Sequence, residues 1–153
     1  MYLISLLSDV DPLWVPLAVF GVAAASAMAT GTSYGTMAIL LPVAVPLAAA
    51  ASHGLEIAPL ILLLSTGAVL DGSVYGDHCS PISDTTMLSS IGSGSDHMDH
   101  VRTQLPYATL AMGVAALGGY VMLPRMGFAP WVTYAIGLPV LAALVWIIGR
   151  RPD

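Results

Sequence analysis

The stretch Gly76-Asp77-His78-Cys79-Ser80-Pro81-Ile82-Ser83-Asp84-Thr85-Thr86 concentrates two carboxylates, an imidazole, a thiol and four hydroxyls between apolar flanks. Carboxylate, hydroxyl and backbone carbonyl oxygens are the ligands that hard cations such as Na⁺ take. Low dielectric favours the protonated form of a carboxylate, so one such group can hold a proton in one state and a cation in another. That exchange is the elementary event of cation/proton antiport. A second polar group, Gly31-Thr32-Ser33-Tyr34-Gly35-Thr36, adds three more aliphatic hydroxyls and two glycines that let the backbone turn. The residues expected to act are Asp77 and Asp84 as carriers of Na⁺ or a proton. Ser80, Ser83, Thr85, Thr32 and Ser33 would supply neutral oxygens, and His78 would orient or tune a carboxylate. Na⁺ and H⁺ are cargo in this scheme, and no cofactor is called for.

Each of these residues also has a structural reading. Asp77 and Asp84 can serve as helix N-caps, and serine and threonine in membrane helices commonly bond to the carbonyl four residues back. Cys79, the single cysteine, reads as a small packed residue. Asp71 shares a helical face with Tyr75 and belongs either to a polar path or near an interface. Gly31-Thr32-Ser33-Tyr34-Gly35 matches the G-x-S-x-G nucleophile pattern, but neither the strand nor the α/β sheet that the motif needs is present. A serine–histidine pair with His78 or His97 would lack any oxyanion-hole signal. Asp96-His97-Met98-Asp99-His100 offers four possible metal ligands, yet in a Gly/Ser-rich setting such a run reads as a solvated connection. H-E-x-x-H, Walker A and paired C-x-x-C motifs are absent.

The composition says where these polar groups must sit. Of 153 residues, 57% are hydrophobic and 8% charged, with a mean hydropathy of +0.84. A soluble domain of this size carries about 25% charged residues, so a multi-span membrane protein is expected. There is no lysine, and four arginines against nine acidic residues leave a net charge of −5. Such a chain offers no basic face to nucleic acid. An ionised aspartate at mid-membrane costs about 2.5–3.5 kcal/mol, a cost that function usually explains.

The elements that would position the polar groups are read from apolar runs of roughly 20 residues. Residues 13–51 form two apolar pieces around the Gly31–Thr36 group, with Pro42 and Pro46 bending the second. Residues 57–91 form a helix entered at Pro59 and broken in the polar stretch, resuming as a short helix near Thr85. Residues 92–104 read as a polar loop, and 105–123 and 131–148 as uninterrupted spans. The expected fold is an all-α integral membrane bundle, one transport domain over 1–153. A broken helix survives in hydrocarbon only where protein or a wet cavity satisfies its ends, and transporters build ion sites from such ends. Residues 1–8 lack the basic start of a signal peptide. Arg150 and Arg151 place the C-terminus on the cytoplasmic side of the cell membrane by the positive-inside tendency.

Two stretches, Ala29–Met37 and Gly76–Ser90, resemble signatures of the NhaC-type Na⁺/H⁺ antiporter family, and His100-Val101-Arg102-Thr103-Gln104-Leu105-Pro106-Tyr107 extends the likeness. The resemblance covers roughly residues 20–110 and is most specific in GDHCSPISDTT. Tyr34 stands where the family pattern has tryptophan, and Asp71 where it has a small neutral residue. The resemblance implies the ion-transporter superfamily, whose members have two inverted repeats, each with a re-entrant hairpin and a discontinuous helix. Residues 13–51 would then be the hairpin, with its tip at Gly31–Thr36, and 57–91 the helix broken at 76–84. It also implies that the chain corresponds to the C-terminal repeat, or half, of a larger transporter.

The expected function is Na⁺/H⁺ antiport across the cytoplasmic membrane. The alternatives are sodium- or proton-coupled exchange of a small carboxylate or amino acid of the malate/lactate type, and a non-transporting fragment or subunit. The expected partners are the lipid bilayer, the missing N-terminal repeat or a second copy of the chain, and in the second case a small organic anion.

Overall fold

The computed structural model describes residues 11–127 and 130–149, which are helical apart from short connections, with no strand among them. A 3₁₀ turn, Pro12–Trp14, is opened by Asp11, whose carboxylate accepts from the Leu13 N–H. It leads into α1 (Val15–Thr30), followed by α2 (Ser33–Ala51), α3 (Ala58–Cys79), α4 (Asp84–Ser93) and α5 (His97–Ala115). A π-helical stretch, Ala116–Met122, continues α5 into a closing turn, α6 (Leu123–Met126), and α7 (Pro130–Ile148) comes last. Four helical segments are long and apolar enough to cross a membrane: Pro12–Thr30, Ser33–Ala51, Ala58–Cys79 and His97–Met126. α7 is also apolar, and Arg150 and Arg151, which carry the orientation expectation, lie outside the described residues.

Two expected boundaries move. The helix expected to break at 76–84 runs on to Cys79, and the irregular segment is only residues 80–83. Polarity does not stop a helix whose backbone can still close its ladder. What stops this one is Pro81, which drives the preceding Ser80 to extended geometry, φ −79° and ψ 127°. The expected polar loop 92–104 shrinks to Gly94–Asp96, because α4 continues to Ser93 and α5 starts at His97. Gly94 ends α4 in the left-handed conformation, and the Asp96 carboxylate accepts from the N–H groups of Met98 and Asp99. The Asp96–His100 run is therefore a capped helix start, and no metal-binding cluster occurs among the described residues.

The most extensive interface is α1 against α3, followed by α2 against α3. Small residues make the first of these close. A methyl group on Gly72 would lie 2.5 Å from the Phe20 carbonyl, and one on Gly76 would overlap the Ala24 carbonyl and come within 2.7 Å of the Met28 nitrogen. Ala23 and Ala27 of α1 are completely buried at this contact. Without a hydrophobic drive between helices in lipid, such close backbone approach is what holds them together. Farther along α3, Ile61 packs on Val15 and Ala48, and Ala68 on Ala116 and Tyr120. Arg125 stacks on the Trp14 ring at 4.1 Å, fastening α6 to the entry of α1.

Candidate ion site at the helix breaks

The α3 break is built around Asp77, in the last turn of the helix and 2% exposed. Its Oδ1 accepts from the Ser83 hydroxyl at 2.7 Å and its Oδ2 from the Thr85 hydroxyl at 3.0 Å. Ser83 and Thr85 are themselves 2.8 Å apart. Three contacts thus close a ring, and three hydrogen bonds need three protons. The two hydroxyls bring two. A protonated carboxyl would bring the third; an ionised one leaves one oxygen–oxygen contact with no proton between, the kind of contact a cation can satisfy.

Ser83 sits at the N-cap position of α4, yet its side chain makes no cap bond. Serine there normally accepts from the helix N–H groups, and its hydroxyl is instead committed to Asp77. Asp84 takes over part of the capping: its Oδ1 accepts from the Thr85 N–H, and the side chain is exposed. Asp84 meets the ring only through that backbone N–H of Thr85; among the described residues its carboxylate makes no hydrogen bond to the Asp77, Ser83 or Thr85 side chains. The two carboxylates expected to act together are held in different roles.

The remaining expected residues divide in the same way. Ser80 is completely buried, and its hydroxyl donates to the Met28 carbonyl at 2.8 Å while accepting from the Ile82 N–H at 3.3 Å. The Met28 carbonyl is one of those at the end of α1 that a helix leaves without an internal partner. Gly31, at φ +68°, closes α1, and a methyl group on it would lie 2.9 Å from the Ile82 carbonyl. The two breaks, far apart in sequence, therefore touch. Thr32 caps α2 by accepting from the Gly35 N–H, and Ser33 is buried beside it. The His78 ring bonds the Val74 carbonyl one turn back at 2.9 Å and is exposed, so it does not reach the Asp77 carboxylate. Cys79 is buried.

Two residues outside the set expected to act also join the site, one of them, Thr86, from the polar stretch itself. Thr86 is buried, and its hydroxyl reaches the Asp77 and His78 carbonyls at 3.4 and 3.5 Å, closing the frayed end of α3. Its spacing from Ser83 and Ser90, three and four residues, puts all three on one face of α4, a signal available in the sequence. His97 braces the break from outside: one ring nitrogen lies 2.7 Å from the Pro81 carbonyl and the other 3.1 Å from the Ser90 hydroxyl.

The sequence model of the Na⁺/H⁺ antiporter family matches residues 2–122, which include both breaks and every residue of the ring. The chain belongs to the Na⁺/H⁺ antiporter family. It is 44% identical over 142 residues to an uncharacterized protein of Haemophilus influenzae, covering 92% of this chain and 26% of that protein. It is 36% identical over 113 residues to the malate-2H⁺/Na⁺-lactate antiporter of Bacillus subtilis, 72% of this chain and 22% of the other. Over 63 residues it is 46% identical to the arginine/ornithine antiporter ArcD of Halobacterium salinarum, 41% of this chain and 13% of the other. The chain spans at most about a quarter of the length of these curated relatives. No solved structure matches it. Family and apolar helices together mark it as a multi-pass membrane protein of an antiporter family.

Proposed function

We propose that this member of the antiporter family exchanges Na⁺ for H⁺, with Asp77 as the group that carries one or the other. The observation that carries this reading is the closed ring of Asp77, Ser83 and Thr85 at the end of a broken membrane helix. With a proton on the carboxyl, the ring is complete as hydrogen bonds. With Na⁺ in its place, the same oxygens turn to the cation, and the carbonyls freed at the end of α3 lie nearby to add ligands. Ser80 and Thr86 act as braces holding the break open, and Thr32 and Ser33 line the adjoining break of the α1–α2 hairpin. Asp84, at the exposed start of α4, serves as an entry carboxylate that attracts the cation toward the ring.

The site works within a larger assembly, completed by the rest of the transporter or by a second copy of the chain, in the cell membrane with the C-terminus in the cytoplasm. Residues 13–51 would enter the membrane as a re-entrant hairpin, and the whole segment would form one of two inverted repeats. Exchange of a small carboxylate or amino acid is the second reading, favoured by the names of two relatives, one a malate/lactate and one an arginine/ornithine antiporter. The test is proton movement in everted vesicles or proteoliposomes carrying the full-length transporter. NaCl alone should drive proton efflux, and a response that appears only when a carboxylate or amino acid is added would replace the first reading with the second.

A further inference from the structure

A second carboxylate lies in the spanning part of α3, away from the ring. Asp71 is six residues before Asp77, which places it about 120° around the helix and ~9 Å along it. Its Oδ2 accepts from the Tyr120 hydroxyl at 2.5 Å, while Oδ1 has no hydrogen-bond partner among the described residues. Tyr120 is 5% exposed and fixed on two sides, packed on Ala68 and with its ring centroid 5.7 Å from that of Phe20. It is carried by the π-helical stretch Ala116–Met122. Such stretches interrupt the α-helical register and occur often at functional sites. Among the described residues no ion pair reaches Asp71: the chain has no lysine, and the arginine of the neighbouring turn, Arg125, is stacked on Trp14. Among the described residues the titratable groups around the Asp71–Tyr120 pair are phenols: Tyr75 one turn along α3, Tyr120 itself, and Tyr134 of α7 beside Tyr120.

We propose that Asp71 is a second proton-binding site of the transporter, with Tyr120 as its positioning residue. An unpaired carboxylate within a membrane helix is a functional group by default, and the geometry selects among its possible ligands. One free carboxylate oxygen beside one phenol is too few ligands for Na⁺. The aromatic faces of Phe20, Tyr75 and Tyr120 are turned on one another, which leaves no open cage for an organic cation. A proton needs only the free oxygen. It arrives from water and bonds to Oδ1, converting the carboxylate to the acid, while Tyr120 keeps its hydrogen and its bond to Oδ2.

The proposal builds on the proton-exchange reading of Asp77 but is tested apart from it. Infrared difference spectra between acid and alkaline pH, taken on the full-length protein in lipid, should contain a carboxylic-acid band. This band is lost in Asp71→Asn, kept in Asp77→Asn and displaced in its pH midpoint by Tyr120→Phe, which retains the ring packing. In proteoliposomes Asp71→Asn should lower the number of protons moved per cycle by one. Unchanged spectra in Asp71→Asn, or displacement of the band by added arginine, would overturn the proposal. If Na⁺ drives no proton movement in the wild type, the reading of Asp77 falls, and the spectra still decide on Asp71.

Discussion

Replacing Asp77 by asparagine tests the ring more sharply than any deletion. The amide has the shape of the carboxyl and can take the role of the protonated acid permanently. Its NH₂ donates to Thr85 across the present 3.0 Å contact, Thr85 donates to Ser83 across 2.8 Å, and Ser83 donates to the amide oxygen across 2.7 Å. All three contacts remain hydrogen bonds, so stability should change by less than about 1 kcal/mol. Asp77→Ala instead removes the acceptor of both hydroxyls; Ser83 and Thr85 still bond each other across 2.8 Å, which leaves one hydroxyl without an acceptor beside the buried Ser83, at about 1–3 kcal/mol. The functional cost runs the other way. Losing the charge removes a charge-assisted interaction with the cation worth about 1.5–3 kcal/mol, or roughly 10- to 100-fold in Na⁺ affinity, and the amide cannot carry a proton. Thermal unfolding of the purified variant should overlay the wild type while Na⁺-driven proton flux in everted vesicles is abolished. Normal flux in Asp77→Asn would refute the ring as the exchange site.

Asp84→Asn keeps the cap on the Thr85 N–H and should leave exchange running, with a several-fold higher Na⁺ concentration for half-maximal flux; complete loss would mean that Asp84 joins the ring during transport. Gly76→Ala should destabilise the bundle by about 1–3 kcal/mol, because the added methyl overlaps the Ala24 carbonyl and drives α1 from α3. A matched melting temperature for that variant and the wild type would contradict the close approach. Asp96→Asn should change neither flux nor stability measurably, since asparagine caps as well as aspartate, whereas Asp96→Ala should cost about 1 kcal/mol of stability.

The membrane class and the location of both breaks could be read from the sequence, because Pro81, Gly31 and the low charge content act locally. The boundaries could not. Asp77 and His78 look like loop residues by polarity, but their N–H and C=O groups stay in the helical ladder until Pro81 ends it. Asp96 reads as part of a loop by its Gly/Ser neighbours and turns out to start α5. Within the site, Asp77, Ser83 and Thr85 could be picked by residue type and spacing. Their separation from Asp84 and His78 depends on which side of the chain each rotamer faces, and neighbouring residues on a helix point in different directions. The Ser80 bond to Met28 and the Tyr120 bond to Asp71 span 52 and 49 residues and have no local signature.

The contact between the breaks has a mechanical consequence. Ser80 is bonded to the end of α1, Gly31 lies against Ile82, and Gly72 and Gly76 leave no gap between α1 and α3. Neither break can travel without the other, so the two are one moving part. If the proposed exchange turns the ion site toward the opposite side of the membrane, the α1–α2 hairpin would travel with α3 as a single cartridge. Slippage would then fall at the sparser contacts that this unit makes with α5 and the π-helical stretch.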